Sequence, residues 1–383
     1  MQYRTIKKLD LSLSTFGIGC MRLPLQQQPD GLKDSSKIDQ DEAVRMIRHG
    51  IDEGVNYIDT AYPYHGGNSE RVVAEALKDG YREKVYLATK LPVWLAKSYD
   101  DFDRLLNEQL EKLQTDHIDF YLLHALNAER WEFLKKVNVF KFLDQAKKDG
   151  RIRHAGFSFH DQLPLFKEII DSYSWDMTQI QLNLLDDHYQ AGLEGLHYAA
   201  DRDVMVVIME PLRGGALAAR IPNDVRDVWN QAETKRTPVE WAFRWLADFK
   251  EVSVILSGVS TMEQLQDNLR IFADAAPGCM NEQEKDLVSQ VQALYRSKIR
   301  VNCTRCNYCM PCPSGVNIPE VFRLYNNMFL FDDPESSRSQ YQKLIKDQSD
   351  ATQCVECGLC EAACPQSIPI INKLVEAHQA LTT

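Results

Sequence analysis

Four ionisable residues follow short apolar runs that have the character of strands. VNYID ends on Asp59, and Tyr64 follows five residues later in the aromatic loop TAYPY. VYLAT leads to Lys90, and IDFYLL leads to His124. In a barrel of parallel strands the carboxyl ends share one face, and that face carries the chemistry. We therefore expect these four side chains to converge on one pocket, although they are far apart in sequence.

This combination suits proton donation by a tyrosine. A phenol has a reference pKa of about 10, and a nearby ammonium lowers that pKa. Lys90 would supply the ammonium, Asp59 would hold the lysine, and His124 would orient the substrate oxygen or share the proton. The chemistry fits protonation of a carbonyl oxygen while hydride arrives at its carbon. Each residue alone has a structural explanation, as a cap, a packing group or a solvated side chain, but their common place at strand ends favours one site.

Alternating strand and helix patterns predict the scaffold. YRTI and LSLS are expected to form a hairpin, FGIGC the first buried strand, and Asp39 with Glu42 a capping box that opens the first helix. Eight strand–helix alternations in roughly 270 residues are typical of an α/β protein with a (β/α)8 TIM barrel. A longer loop is expected over residues 212–236. The alternative is a doubly wound open sheet, but no GxGxxG follows an early strand.

Composition and charge limit the classes of function. The chain has 383 residues, of which 44% are hydrophobic, and a formal net charge of −11. This charge argues against nucleic-acid and anionic-membrane partners. The sequence has no apolar run of about 18 residues, and MQYRTIKKLD lacks the apolar core of a signal peptide. We expect a cytoplasmic protein with a barrel domain over 1–298 and a small, mainly helical domain over 299–383.

Eight of the ten cysteines follow residue 300, in two runs that have the spacing of iron–sulfur ligands. The first run reads CTRCNYCMPCP and the second reads CVECGLCEAACP. The second run matches C-x2-C-x2-C-x3-C-P, a pattern in which the fourth cysteine ligates the other of two clusters. The first run has only two residues before its last cysteine, and Pro313 and Pro365 follow the two runs. We predict two 4Fe-4S clusters with crossed ligands: Cys303, Cys306, Cys309 and Cys364 for one, and Cys354, Cys357, Cys360 and Cys312 for the other.

Two zinc sites, each with four cysteine ligands, are the alternative for these residues, because zinc also takes four thiolates. Evenly spaced cysteines that end in Cys-Pro favour iron–sulfur. Disulfides are not expected at two-residue spacing in a reducing compartment. The 41 residues between the runs include VFRLYNNMFLF, are expected to be helical, and give this segment a resemblance to the helical ferredoxin domains. Cys20 and Cys279 belong to neither run.

IDTAYPY, LATK and DFYLLH resemble the three catalytic segments of the aldo-keto reductases, in the right order within residues 3–298. With the cysteine runs, the whole chain resembles the iron–sulfur branch of that family. The resemblance implies a (β/α)8 barrel that transfers hydride between NAD(P)H and a small-molecule carbonyl or alcohol. It makes Tyr64 the acid, with Asp59, Lys90 and His124 beside it.

The same resemblance implies the residues that would hold NAD(H) or NADP(H). Ser158 and Gln181 would bond the nicotinamide carboxamide. The chain has Phe159 where the family usually has asparagine, and Met209 where it usually has an aromatic platform. At Gly258 and Gln264 the family often carries cations for a 2′-phosphate, so we expect NADH to bind at least as well as NADPH. The nicotinamide side comprises Gly19, Cys20, Met21, Ser158, Gln181 and Met209, and the adenosine end comprises Gly258, Gln264, Asp267 and Asn268.

The competing function is an iron–sulfur electron-transfer or redox-sensing protein whose barrel binds a nucleotide with little carbonyl turnover. The four ionisable residues favour the enzyme, whereas Met209 and the cysteine runs favour this alternative. Nicotinamide gives two electrons as hydride, whereas each cubane takes one, and no segment has the pattern of a flavin site. An external electron donor or acceptor is therefore a candidate partner.

Overall fold

The computed structural model describes residues 1–27, 34–219, 221–303, 305, 307–364 and 366–383. These residues form two compact units, Met1–Pro211 with Glu240–Met280 and Leu212–Val239 with Asn281–Thr383. The domain boundary between residues 298 and 299 stays a prediction.

A hairpin precedes the barrel, as predicted. β1 (Tyr3–Ile6) and β2 (Leu11–Ser14) pair antiparallel around a 3-10 turn at Lys7–Leu9.

Eight parallel strands then close into a barrel, which confirms the predicted fold class. The barrel runs in chain order, with the last strand beside the first. The strands are β3 (Phe16–Gly19), β4 (Tyr57–Asp59), β5 (Tyr86–Leu91), β6 (Ile118–Leu126), β7 (Ile152–Phe159), β8 (Met177–Gln181), β9 (Met205–Met209) and β10 (Val252–Ser257). Nearly all strand residues are buried, because side chains fill the barrel interior and helices cover its outside. One interior cluster contains Tyr57, Phe120, Met177, Met205 and Val254.

Helices alternate with the strands. They are α1 (Gln40–Asp52), α2 (Ser69–Ala76), α3 (Asp100–Leu113), α4 (Ala128–Lys136), α5 (Val139–Lys148), α6 (Leu163–Ser172), α7 (Gly192–Ala200), α8 (Ala216–Ala219), α9 (Asn223–Trp229), α10 (Pro238–Asp248) and α11 (Met262–Ile271). Asp39 caps α1 by accepting from the backbone N–H of Glu42.

Two segments differ from the prediction. Residues 212–236 contain α8 and α9 rather than a plain loop, because Val225, Val228 and Trp229 supply an apolar face that α9 buries. The helix α4 was not predicted, since only Trp131 and Leu134 of its residues are buried and its apolar periodicity is weak.

The end of β6 is irregular where it carries His124. The pairing of β6 with β7 shifts register between Leu123 and Leu126. Ala125, inside this interval, has a φ of 54°. A non-glycine residue in the left-handed region is uncommon and often marks a functional segment.

The second unit is helical in its C-terminal part, as predicted. The elements are α12 (Glu282–Ser297), α13 (Ile318–Leu330), α14 (Pro334–Lys346), α15 (Leu359–Ala362) and α16 (Ile370–Thr382). Asn281 and Glu284 form a reciprocal capping box that starts α12. Val321, Phe322 and Leu374 belong to the apolar core of the unit. No helix among the described residues is long and apolar enough to cross a membrane.

Candidate active site

Lys90 is the centre of a buried polar cluster at the carboxyl ends of β4 and β5. Its Nζ donates to Asp59 Oδ1 at 2.7 Å and to the carbonyl oxygen of Thr60 at 2.9 Å, and it lies 3.4 Å from Tyr64 Oη. Asp59 ends β4, which pairs in parallel with β5. Tyr64 comes from the following loop, where it begins a 3-10 turn at Tyr64–Gly67. The fold thus brings Asp59, Tyr64 and Lys90 together, because the ammonium group of Lys90 contacts both of the other side chains.

The Lys90–Asp59 ion pair is almost fully buried, with side chains 1% and 4% exposed. Burial acts to lower the pKa of Lys90, but Asp59 and Tyr64 favour the ammonium, and the net pKa is raised. Burial raises the pKa of Asp59 against the opposing effect of Lys90. Each of the two buried charges therefore needs the other to be stable, because a single unpaired charge in this place would strongly destabilise the protein.

Tyr64 is a protonated phenol in this environment. Burial raises the pKa of Tyr64 and outweighs the lowering effect of Lys90. The predicted lowering effect of Lys90 is present, but the loss of solvent, which sequence reasoning did not count, has the larger effect on the pKa. Lys90 Nζ also lies 5.0 Å from the centroid of the Tyr64 ring. The ammonium can therefore stabilise the phenolate that proton donation would leave.

His124 lies beside Tyr64 as a neutral imidazole. The two ring centroids are 6.1 Å apart in an edge-to-face arrangement. Burial, followed by Lys90, His160 and Arg130, lowers the pKa of His124 well below its ordinary value. Its Nδ1 is buried and has no hydrogen-bond partner among the described residues. A neutral imidazole donates from one ring nitrogen and accepts at the other, so His124 can hydrogen-bond a carbonyl oxygen without carrying charge.

Gln179 on β8 completes the surroundings of Asp59. Its Nε2 donates to Asp59 Oδ2 at 3.3 Å, so both carboxylate oxygens have a donor. Its Oε1 is buried without a partner among the described residues. Sequence reasoning missed Gln179. The alternation of side chains along TQIQ offered a signal, since it places Gln179 and Gln181 on the same face of β8.

A second polar cluster holds the end of β5 against α2 and α3. Gln109 Nε2 donates to Glu70 Oε1 at 2.6 Å and to the carbonyl oxygen of Lys90 at 3.1 Å. Thr89 donates to the same oxygen of Glu70, and Tyr121 donates to Gln109 Oε1. Burial raises the pKa of Glu70. Sequence reasoning missed this cluster, because a buried helical glutamate looks like a surface one until the helix is packed.

Three predicted nicotinamide residues lie at the ends of consecutive strands. Ser158 is next to last in β7, and Gln181 and Met209 end β8 and β9 in register with each other. Ser158 Oγ accepts from the backbone N–H of Ala125 at 2.7 Å, and Gln181 Nε2 donates to Asp186 Oδ2 at 2.9 Å. The Ser158 hydroxyl hydrogen and the Gln181 carbonyl oxygen are the groups suited to a carboxamide. The contacts themselves stay predictions.

Gly19, Cys20 and Met21 lie together at the end of β3. Gly19 is its last residue, and a 3-10 turn over Cys20–Arg22 follows. Cys20 is buried, and burial raises the pKa of its thiol. Met21 is 59% exposed. A methionine side chain can pack on a flat ring, and the contact of Met21 with a nicotinamide stays a prediction.

The predicted adenosine residues are tied to neighbouring groups. Gln264 Oε1 accepts from the backbone N–H of Ser260 at 2.9 Å. Asp267 forms an ion pair with Arg270. Asn268 is buried and donates to Ser257 Oγ. The backbone groups that follow β10 are thus held in place, but the nucleotide contacts stay predictions.

Arg22 lies against Gly258, a position at which the sequence itself carries no cation but which arginines from elsewhere in the chain could reach. A Cβ atom at Gly258 would lie 3.1 Å from Arg22 Cβ and 3.2 Å from its Cγ. The absence of a side chain at Gly258 therefore leaves room for Arg22 to cross the end of β10. The sequence alone could not show this contact, because Arg22 and Gly258 are far apart in the chain, near the first and the last strand of the barrel.

The predicted cluster ligands line two cavities in the second unit, and Cys306 lies outside the described residues. One cavity of about 140 Å³ is lined by Cys312, Cys354, Cys357 and Cys360. A smaller cavity of about 20 Å³ is lined by Cys303 and Cys364. Cys309 borders both cavities. The structure thus brings Cys312 to the second run and Cys364 to the first, and the ligand roles stay predictions.

The cysteines line the walls of the two cavities, which is the arrangement that a 4Fe-4S cluster requires of its ligands. In a 4Fe-4S cluster each thiolate binds a different iron, so the sulfur atoms surround a cavity rather than converge on a point. Val316, Ile318 and Leu374 add apolar walls to the larger cavity.

Comparison with known protein families identifies both parts of the chain. A model of the aldo/keto reductase family matches residues 15–277, and a 4Fe-4S dicluster domain model matches residues 302–368. The first match spans more than half of the chain, which belongs to the aldo/keto reductase family. It is an oxidoreductase, and the two matches support a nicotinamide cofactor and an iron–sulfur cofactor.

Individual relatives match 68–77% of this chain. The NADH-specific methylglyoxal reductase of Escherichia coli (strain K12) is 24% identical over 302 residues, 68% of this chain and 90% of that protein. L-galactose dehydrogenase of Arabidopsis thaliana is 24% identical over 324 residues, 77% of this chain and 94% of that protein. Among solved structures, the holo form of aldo-keto reductase AKR11C1 from Bacillus halodurans has a TM-score of 0.63 at 25% identity, covering 76% of this chain and 96% of that one.

Proposed function

We propose that this protein reduces small-molecule carbonyl compounds with NAD(P)H, or oxidises the corresponding alcohols, with Tyr64 as the general acid. The observation that carries the proposal is the position of Lys90 Nζ, within hydrogen-bond distance of both Asp59 and Tyr64. This arrangement provides a proton donor beside a buried positive charge. General acid catalysis needs the donor to be protonated at the working pH.

The roles of the four residues follow from their charges. Tyr64 keeps its proton in the resting site, because burial raises its pKa. As negative charge develops on the substrate oxygen, Tyr64 donates its proton and Lys90 stabilises the resulting phenolate. Asp59 keeps Lys90 charged and in place. His124, a neutral imidazole, orients the substrate oxygen by a hydrogen bond.

Bound NAD(P)H supplies the hydride. Ser158 and Gln181 would hold the carboxamide, Met209 would lie under the nicotinamide, and Gly19, Cys20 and Met21 would line its side. Gly258, Gln264, Asp267 and Asn268 receive the adenosine end. NADH binds at least as well as NADPH, since Gly258 and Gln264 themselves carry no charge for a 2′-phosphate, and the NADH-specific methylglyoxal reductase supports this preference. Arg22, which lies against Gly258, is the cation that would oppose it.

The crossed cysteine sets given above would hold two 4Fe-4S clusters, in a domain that would begin at residue 299. When bound, the clusters supply one-electron redox chemistry. Cys357 is exposed and lines the larger cavity, which favours exchange with an external donor or acceptor. The second candidate function, an electron-transfer or redox-sensing protein that turns over little carbonyl, rests on this exposure.

Steady-state oxidation of NADH and NADPH with a panel of aldehydes and ketones separates the two functions. If the protein is a carbonyl reductase, the rate of nucleotide oxidation should depend on the carbonyl compound added, and the absorbance of the clusters should not change. Nucleotide binding without turnover of any carbonyl would favour the electron-transfer function.

A further inference from the structure

An exposed tryptophan lies beside the candidate proton donor site. Trp94 follows β5 and is 41% exposed. Its ring centroid is 5.1 Å from that of His124. His124 in turn contacts Tyr64 edge to face. If the carbonyl oxygen of a substrate is hydrogen-bonded to Tyr64 and His124, the carbon atoms next to the carbonyl group would therefore lie close to the Trp94 ring.

Arg130 also contacts this ring. It is in the first turn of α4, and its guanidinium carbon is 5.1 Å from the centroid of Trp94. One guanidinium nitrogen donates to the carbonyl oxygen of Ala125 at 2.6 Å. A guanidinium has five N–H donors, so most of its donors are not used by this bond.

Arg130 has no carboxylate partner among the described residues. Other arginines of the barrel unit differ in this respect, since Arg104, Arg151 and Arg202 each pair with an aspartate at 2.6–2.8 Å. The chain as a whole carries a formal net charge of −11, so a local unpaired cation is needed to attract an anion to this face. Lys90 and Arg130, which both act to lower the pKa of His124, give the same surroundings a positive character.

We propose that the natural substrates are carbonyl compounds with an anionic group, a carboxylate or a phosphate, that binds Arg130 while the carbon chain lies along Trp94. The inference rests on the proposed function and names its substrate class. Guanidinium groups bind both kinds of anion through paired hydrogen bonds. Such charge-assisted bonds contribute about tenfold to a hundredfold in affinity over a neutral analogue.

A purely structural role for Arg130 makes a different prediction. Ala125 has a φ of 54°, and its peptide is held by Ser158 Oγ on one side and Arg130 on the other. If Arg130 only braces this turn, its loss displaces His124 and slows every substrate alike. If Arg130 binds substrate, its loss affects anionic substrates alone.

Matched substrate pairs test the inference. 4-Oxobutanoate is compared with butanal, and glyceraldehyde 3-phosphate with glyceraldehyde, in the full-length protein. We expect a KM about ten times lower or better for the anionic member of at least one pair. The pair that shows the preference identifies the anion as a carboxylate or a phosphate. Equal KM values within both pairs would overturn the inference.

Variants of Arg130 distinguish binding of the substrate anion from a structural role at Ala125. Arg130→Gln should remove the preference by raising the KM of the anionic aldehyde about tenfold, with a much smaller effect on the neutral aldehyde, and Arg130→Lys should restore part of the preference. Arg104→Gln is the matched control, because Arg104 is exposed and already paired with Asp101. A parallel loss for anionic and neutral substrates in Arg130→Gln would assign Arg130 to bracing and contradict the inference.

A binding measurement keeps this test separate from that of the proposed function. Isothermal titration calorimetry compares 4-hydroxybutanoate with 1-butanol, and glycerol 3-phosphate with glycerol, in the presence of oxidised nucleotide. Preferential binding of an anion that Arg130→Gln abolishes supports the inference even in the absence of turnover, which would contradict only the proposed function. Carbonyl turnover without any preference for anions would contradict only the inference.

Discussion

The ammonium nitrogen of Lys90 lies 3.4 Å from the phenol oxygen of Tyr64. The same nitrogen is 2.7 Å from Asp59 and is almost fully buried. A positive charge is therefore held beside a phenol in surroundings with little solvent, where electrostatic interactions are strong. The proposed chemistry depends on this contact, and so do most of the predictions below.

Replacement of Lys90 by methionine should reduce both activity and stability. Carbonyl reduction should fall by about 10²-fold or more, because the phenolate of Tyr64 loses its stabilising charge. The free energy of unfolding should fall by about 3–5 kcal/mol, because Asp59 is left as an unpaired buried carboxylate. Steady-state kinetics and denaturant titration provide the two values.

The double variant Lys90→Met, Asp59→Asn is the informative control, since it removes the unpaired charge. It should recover stability but not activity, whereas the exposed Lys97→Met should change neither. Full activity in the stable double variant would contradict the proposed role of Lys90.

The pH profile of carbonyl reduction should be flat across the neutral range. The acid must be protonated, so activity is present below the pKa of Tyr64 and is lost above it. Burial raises this pKa above the ordinary value of 10.0, and the loss should therefore occur only at more alkaline pH. Because the pKa of His124 is lowered well below its ordinary value of 6.5, titration of His124 should not produce a break in the pH profile near pH 6.5. Initial rates at saturating substrate between about pH 6 and 9 test this, and a break inside that window would contradict one of the two assignments.

The position of His124 shows what the sequence could and could not predict. IDFYLL predicted a buried strand and a histidine near its end, and β6 has both. The strand continues to Leu126 through a register shift and the positive φ of Ala125, which no apolar pattern encodes. Asp59, Lys90 and His124 were predictable because strand ends of a barrel share one face.

Contacts that depend on packing were not predictable in the same way. The net pKa of Tyr64 depends on burial, which only the assembled barrel defines. Glu70 and Gln109 look like ordinary helical residues, and their role behind Lys90 requires α2 and α3 to be in place. Arg22 crosses Gly258 although the two residues are far apart in the sequence.

Gln179 should act on catalysis through Asp59. Gln179→Met keeps the volume and removes the amide that donates to Asp59 Oδ2. We expect kcat to fall about tenfold, as for loss of a hydrogen bond to a charged group, with no change in the dissociation constant of NADH. The exposed Gln266→Met is the control. An unchanged kcat in Gln179→Met would remove Gln179 from the positioning of Asp59.

The cysteine cavities predict a specific pattern of cluster loss. Anaerobically purified protein should contain about eight irons and eight sulfides per chain. Cys312→Ser should remove one cluster and leave the other, because Cys312 lines the cavity of the second run. Cys279→Ser, which lies outside both runs, should keep the full content. Zinc without sulfide would support the alternative sites, and full iron content in Cys312→Ser would exclude that ligand.

Replacement of Tyr64 by phenylalanine tests the central claim most directly. The substitution removes only the hydroxyl that lies 3.4 Å from Lys90. The account predicts a loss of about 10²- to 10⁴-fold in carbonyl reduction, with NADH and NADPH dissociation constants nearly unchanged by fluorescence titration. Retention of more than about a tenth of the wild-type rate would contradict Tyr64 as the general acid.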